Sequence, residues 1–197
     1  MSTKKRLAVS KTYKLYLGGK FPRTESGRYY ELKGRKDTLL ANVSRASRKD
    51  FRNAVVAARK AWSGWAATTA CLRGQILYRV AEMLEGRAGQ FEEELRAQGA
   101  TPVAARKEVT ASVDLFVHYA GWSDKYQSLF SSVNPVATPH FNFSMPESTG
   151  VVAAVAPEGS GLLGLSSVVA PILVGGNTSV ILASHARPLC AITLAEV

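Results

Sequence analysis

Cysteine and histidine are scarce: Cys71, Cys190, His118, His140 and His185 are all there is in 197 residues. Neither residue type shows ligand spacing, which argues against a metal site, and the two thiols form no redox motif. Reduced thiols in a cytoplasmic protein are therefore expected. No apolar run is long enough to span a membrane. The N-terminal stretch MSTKKRLAVSKTYK has only residues 7–9 as an apolar centre, too short for a secretory signal. Acidic residues are outnumbered, 15 against 25 lysines and arginines, for a net charge of +10. A nucleic-acid surface would interleave that charge with aromatics for stacking. Here the clusters at 4–6 and 33–36 carry none. The remaining cations (Arg48, Lys49, Arg52, Arg59, Lys60, Arg73, Arg79) spread along amphipathic helices, with acidic neighbours at 92–94. Solvated faces, or attraction to an acidic protein, account for the charge better than nucleic acid does.

What is present is the balance of a globular protein, 46% hydrophobic and 20% charged. Four regions follow from the pattern: a flexible basic arm (1–12), a hairpin and helical layer (13–130), a linker containing a strand (131–149), and the start of a parallel sheet (150–197). Residues 14–17 and 29–32 read as strands of a hairpin around the turn-rich PRTESGR, with a third strand at 39–43. Ser47 is an N-cap with Asp50 three residues on, a capping box. Behind it Phe51, Ala54, Val55, Ala58, Trp62 and Trp65 share a helical face. Thr68 or Thr69 caps a second helix with Leu72, Ile76, Leu77, Val80 and Leu84 inward. Phe91 and Leu95 anchor a shorter helix ended by Gly99. Thr101-Pro102 opens a long one, faced by Val109, Val113, Phe116, Val117 and Ala120 and expected to run to near Ser128. A strand is expected at 140–144.

The last quarter organises the rest. Residues 151–156 form an unbroken apolar, β-branched run, read as a strand buried on both faces. Residues 157–161 break it. Leu162, Leu163, Leu165, Val168, Val169 and Ile172 recur at helical spacing, and Gly175-Gly176 stops that helix. Residues 179–183 make a second buried strand, and Pro188 opens a final helix. Strand, helix, strand, helix is the beginning of a doubly wound α/β sheet. The turn at 157–161 exposes backbone N–H groups beside a helix start, which suits a nucleotide phosphate, although it lacks Gly-x-Gly-x-x-Gly. Ser160 is flanked directly by Gly159 and Gly161, so Gly-x-Ser-x-Gly is absent and no nucleophile elbow is expected. Cys71 reads as a small buried hydrophobe. Cys190, in the first turn of the last helix, reads as structural despite the helix terminus nearby.

The order of YLGGKFPRTESGRYYEL, DFRNAVVAARKAWSGWAATTACLRGQILYRVAEMLEGR, HYAGWSDK, GVVAAVAP and GGNTSVILAS resembles the aldehyde dehydrogenase superfamily from about residue 14 onward. The resemblance implies an α/β fold in which a hairpin and helical layer lead into a partial Rossmann-like NAD(P)-binding sheet, together with a strand used in oligomerisation. It also implies the family reaction, oxidation of an aldehyde to an acid through a cysteine thiohemiacetal and hydride transfer. PEGSGLLGLSSVVAP looks closest to the tandem-domain branch, family 16. Active members carry Pro-Trp-Asn-Phe-Pro after the first strand, where the Asn amide steadies the oxyanion. Here Pro157, Glu158, Gly159, Ser160 and Gly161 stand in that order, with Gly159 in the Asn position. After the second strand, Leu182 replaces a lysine that contacts the cofactor's ribose. Pro157 and Ser184 match the family, and they are the cofactor-binding residues that the resemblance implies.

No catalytic residue can be named, because the family's second glycine motif, general-base glutamate and nucleophilic cysteine are not in the sequence. The leading expectation is a catalytically silent subunit. It would partner a full-length aldehyde dehydrogenase or its own copies, with NAD or NADP implied by family and not necessarily bound. The alternative is the front portion of an active NAD(P)-dependent aldehyde dehydrogenase, a reading favoured by a chain that stops inside an apparent helix without a C-cap.

Overall fold

The computed structural model describes residues 11–34 and 37–197. Most of the expected basic arm and part of the 33–36 cluster lie outside the described residues. Three strands open the fold: β1 (Thr12–Tyr13), β2 (Tyr29–Lys33) and β3 (Leu39–Ser44). The sheet order is β1-β3-β2, with β1 parallel and β2 antiparallel to β3. The hairpin is therefore β2–β3, not the expected pairing of 14–17 with 29–32. Gly18 and Gly19 explain the difference. Both adopt positive φ, 56° and 78°, and two such residues in succession make a tight primed turn. That turn folds the 14–17 stretch back on its own neighbours: Leu17 and Lys20 exchange bonds at 2.9 and 3.1 Å, and Leu15 N donates to Pro22 O.

Helix α1 (Arg48–Ala66) starts with a complete capping box from Ser47 and Asp50. The Asp50 carboxylate is buried and also gathers the preceding loop, accepting from Thr24 Oγ1 at 2.6 Å, Glu25 N at 3.1 Å and Ser47 N at 2.8 Å. Of the expected apolar face, Phe51 points to solvent. The working end is the other one, where Trp62 Nε1 donates to Ser148 Oγ and Trp65 Nε1 to Leu173 O. Each indole thus packs while its polar edge is satisfied.

Helix α2 (Ala70–Gly86), capped by Thr69, buries Arg73, Gly74, Leu77, Ala81 and Leu84. Its inward stripe is rotated from the expected one, leaving Leu72, Ile76 and Cys71 exposed. Two contacts set that rotation. Gly74 is so close to the segment after α4 that a Cβ there would lie 2.4 Å from Ser123 Oγ and 3.0 Å from Ala120 O. Arg73 belongs to the interior and not to a solvated face: its guanidinium donates to Val174 O, Thr68 O and the Tyr126 hydroxyl. A buried cation of this kind is tolerated because carbonyl and hydroxyl oxygens replace its water.

Helix α3 (Ala88–Ala97) buries Phe91 and Leu95 and stops at Gly99, as the sequence predicts. Helix α4 (Pro102–Ala120) takes its cap from Thr101 and ends eight residues earlier than Ser128. Ser123 supplies the reason. Its hydroxyl takes the Ala120 carbonyl at 2.9 Å, while Trp122 and Ser123 N–H groups make tightened bonds to Tyr119 and Ala120. A separate short helix, α5 (Lys125–Phe130), follows. Strand β4 (Ser132–Val133) then pairs antiparallel with β5 (Phe143–Ser144), a shorter strand than the one expected at 140–144.

The final quarter is β6 (Val151–Val155), α6 (Leu163–Val174), β7 (Thr178–Leu182) and α7 (Leu189–Ala195). Strands β6 and β7 are parallel, in register from Val151 with Thr178 to Val155 with Leu182. Gly176, at φ 78°, closes α6. Its N–H reaches Leu173 O and Asn177 N reaches Ile172 O, the double bond of a Schellman ending. The strands are less buried than a two-sided strand should be, with Val155 70% and Leu182 62% exposed. A two-stranded sheet has two free edges, and α1 and α6 cannot cover all of it. The main core joins α2, α3, α4, α6 and α7 around Leu77, Leu84, Phe91, Leu95, Phe116 and Leu162. Among the described residues no helix is long and apolar enough to cross a membrane.

Phe116 is 1% exposed at the centre of this core. Phe116→Ala is expected to cost about 3–5 kcal/mol in denaturant unfolding, the range for a truncated buried aromatic. Asp50 gives a pH-dependent counterpart. Burial alone would raise its pKa, but the bonds from Thr24, Ser47 and Glu25 outweigh burial and hold it below the ordinary 3.8. A carboxyl depressed on folding stabilises above its unfolded value and loses that contribution as pH falls through the folded one. Asp50→Ala should therefore cost about 2 kcal/mol at neutral pH. Unfolding followed from pH 7 to pH 3 should show that cost shrinking toward the acid end.

Candidate functional site

Ligands of open α/β sheets bind outside the carboxyl ends of the strands. In this chain that edge is built from two loops, 156–162 after β6 and 183–188 after β7. The two are tied to each other. Glu158 reaches across, its carboxylate accepting from Ser184 Oγ at 2.7 Å, His185 N at 2.9 Å and Ala186 N at 3.0 Å. Arg187 returns the contact, donating from Nη1 to Gly159 O at 3.0 Å. Ser184 is spent twice, since its Oγ also accepts from Arg187 N. Tyr30 of β2 fixes the outer loop: its ring stacks on His185 at 4.3 Å and its hydroxyl donates to His185 O. The backbone N–H groups of His185 and Ala186, then the Ser184 hydroxyl, pull the Glu158 carboxyl down to about 2. It is a carboxylate at any physiological pH.

The start of α6 is also occupied from within. Glu108 of α4 places Oε1 against Leu162 N at 2.7 Å, Leu163 N at 3.1 Å and Ser160 Oγ at 2.6 Å. Ser160 Oγ in turn accepts from Gly164 N at 2.8 Å. A helix start has N–H groups without intrahelical partners and a positive dipole end, and a carboxylate answers both. Burial raises the Glu108 pKa, yet these bonds outweigh it and leave the group below its ordinary value. The first amides of α6, those of Leu162, Leu163 and Gly164, are thus already satisfied.

Cys190 is fully buried in α7, and its thiol is pushed far up, first by burial and then by the Glu94 carboxylate. It is a packing residue. Glu94 accepts from Thr193 Oγ1 at 2.7 Å and lies near the Tyr13 hydroxyl at 3.5 Å. Burial and that neighbouring charge raise Tyr13 to about 12.

Pro157 and Ser184 both lie on this edge, Pro157 exposed and Ser184 buried. The Pro157 ring lies 3.2 Å from where a Cβ on Gly164 would sit, so it packs on the first turn of α6. Ser184 is buried under Glu158 and Arg187. Gly159 has open space, with nothing within 4 Å of a built Cβ. Leu182 presents an apolar side chain to solvent. A dinucleotide needs donors for its diphosphate and partners for its ribose hydroxyls. These residues do not fit that need: Gly159 and Leu182 supply no side-chain donor, the Ser184 hydroxyl and the His185 and Ala186 amides are bonded to Glu158, and the Leu162 and Leu163 amides to Glu108. Among the described residues no group of three or more His, Cys, Asp and Glu side chains is arranged to hold a metal. Sequence reasoning missed Glu158, Arg187, Glu108 and Tyr30 as builders of this edge. An acidic residue in the turn after β6, within reach of the turn after the parallel strand β7, was the available signal for Glu158. Glu108, arriving from 52 residues away, gave none.

Comparison with known proteins agrees with the fold. The model of the aldehyde dehydrogenase family matches residues 21–197. Cytosolic 10-formyltetrahydrofolate dehydrogenase of Mus musculus is 33% identical over 199 residues, covering 98% of this chain and 22% of that protein. The mitochondrial 10-formyltetrahydrofolate dehydrogenase of Homo sapiens is 31% identical, covering 96% of this chain and 21% of that protein. The chain thus spans about a fifth of the length of these curated relatives. An aldehyde dehydrogenase from Bacillus cereus, solved as its NAD+ complex, superposes with a TM-score of 0.88 at 25% identity, covering 94% of this chain and 38% of that one. A salicylaldehyde dehydrogenase from Pseudomonas putida shares the fold at a TM-score of 0.90 and 21% identity, over 95% of this chain and 39% of its own. Family model, sequence relatives and strand-by-strand architecture agree, and the chain belongs to the aldehyde dehydrogenase family.

Proposed function

We propose that this chain is a non-catalytic, aldehyde dehydrogenase-like subunit that supports an active NAD(P)-dependent aldehyde dehydrogenase or assembles with its own copies. The observation that carries this reading is Gly159. It stands where the family resemblance implies an oxyanion-binding asparagine, and its surroundings leave room for a side chain. The glycine is therefore a loss of chemistry rather than a packing requirement. Leu182, apolar and exposed where a ribose-contacting lysine is implied, supports the same reading.

Assembly surfaces support the subunit role. The β4–β5 hairpin carries Val133, Phe141 and Phe143 on its exposed surface, with the two phenylalanine rings 5.4 Å apart. Exposed apolar side chains gathered on one small element are characteristic of a contact surface. The uncovered edges of β6 and β7 are a second such surface.

A second reading has its own support. The same open edges, and the match to the NAD+-complexed Bacillus cereus enzyme, suit the front portion of a working dehydrogenase that oxidises aldehydes to carboxylic acids.

Native mass spectrometry of the untagged protein from its own cells, with an NAD(P)H assay on each separated species, decides between them. The subunit reading expects all aldehyde-dependent NAD(P)H formation to travel with a distinct full-length dehydrogenase bound to this chain, and none from assemblies of this chain alone. Turnover by a species containing this polypeptide and no other dehydrogenase would overturn it and favour the second reading.

A further inference from the structure

We propose that Glu158 is an internal latch that closes the carboxyl edge of β6 and β7 to a dinucleotide. The inference rests on the reading of this edge as non-catalytic and gives it a physical cause beyond missing side chains. Glu158 is exposed, yet its carboxylate is held in place by the neighbouring loop. Both of its oxygens are engaged, Oε1 by His185 N and Oε2 by Ser184 Oγ and Ala186 N. Arg187 binds back to Gly159 O, so the two loops are joined in both directions. Tyr30 then holds the 185 backbone from outside. The crevice that an α/β sheet offers to a ligand lies between such loops.

Two consequences follow for a nucleotide. Its oxygens would have to displace a charge-assisted acceptor from the very donors they need, and such bonds are the stronger kind. Its diphosphate would also meet a fixed negative charge that no lysine or arginine among the described residues pairs with, Arg187 being turned onto a carbonyl. A merely structural staple would hold the loops together without any bearing on nucleotide. The latch predicts that loosening the loops exposes usable donors.

The experiment is fluorescence titration of NADH and NADPH against the full chain in its purified assembly, for wild type, Glu158→Ala and Glu158→Gln. Hydrogen exchange at the His185 and Ala186 amides is followed in parallel. Glu158→Ala should bind at least about tenfold more tightly than wild type, with faster exchange at both amides. Glu158→Gln should fall between, since it keeps an acceptor but loses the charge, and it carries the test should the alanine variant fail to fold. A wild-type Kd within about threefold of both variants would overturn the latch. So would the absence of saturable binding in every variant. Tight wild-type NADH binding without aldehyde oxidation would remove the latch alone, whereas aldehyde oxidation by wild type would remove the non-catalytic reading.

Discussion

Parallel pairing of β6 with β7 is the constraint on which the rest depends. Two parallel strands cannot be joined by a tight turn, so the chain must cross over the sheet, and α6 is that crossover. This crossover helix, LGLSSVVAPILV, carries no charged residue and needs cover. Helices α2 and α4 supply it on one side, with Leu77, Leu84 and Phe116 meeting Leu162, Ala170 and Val174. Helix α1 lies against the strands themselves, where Thr178 Oγ1 donates to Ala58 O and the two tryptophans bond to Ser148 and Leu173. The small sheet of β1, β2 and β3 is then placed by its contacts with the far end, through Leu189 in its core and Tyr30 on His185.

Three carboxylates do similar physical work at different places. Asp50, Glu108 and Glu158 each accept from backbone N–H groups that have no partner in regular structure. At Asp50 and Glu108 the donors are partly buried and would otherwise lack a partner, whereas at Glu158 the carboxylate replaces water on exposed amides. That use sets their chemistry. A carboxylate bonded to several N–H groups is a poor proton carrier, so none of the three is suited to general acid or base duty at neutral pH.

Local signals in the sequence were legible where neighbouring residues decide the structure. The capping box at Ser47, the Thr101-Pro102 start, the Gly99 stop and the strand-helix-strand order after residue 150 are all local, and the structure contains them. The elements that departed were decided at a distance. The stripe of α2 turned because Gly74 lets the helix approach Ser123, and because Arg73 finds carbonyls 101 residues ahead at Val174. Cys71 became exposed with that turn. The early termination of α4 depends on a serine hydroxyl competing for a carbonyl, and the hairpin shift on two glycines read past in favour of a more turn-rich segment. At the candidate site Pro157, Gly159, Leu182 and Ser184 were legible from the family pattern. Glu108 and Tyr30 were not, since only the folded chain brings them there.

The unequal burial of the two thiols gives the protein an intrinsic reporter. Cys71 lies open on α2, while Cys190 is sealed in the core with its proton held more tightly than an ordinary thiol's. Thiolate is the reactive species, so an alkylating reagent at neutral pH should consume one equivalent quickly. The second equivalent should be consumed only as fast as α7 leaves the core. Counting the alkyl groups on this chain by mass therefore times the opening of α7 without any substitution or label.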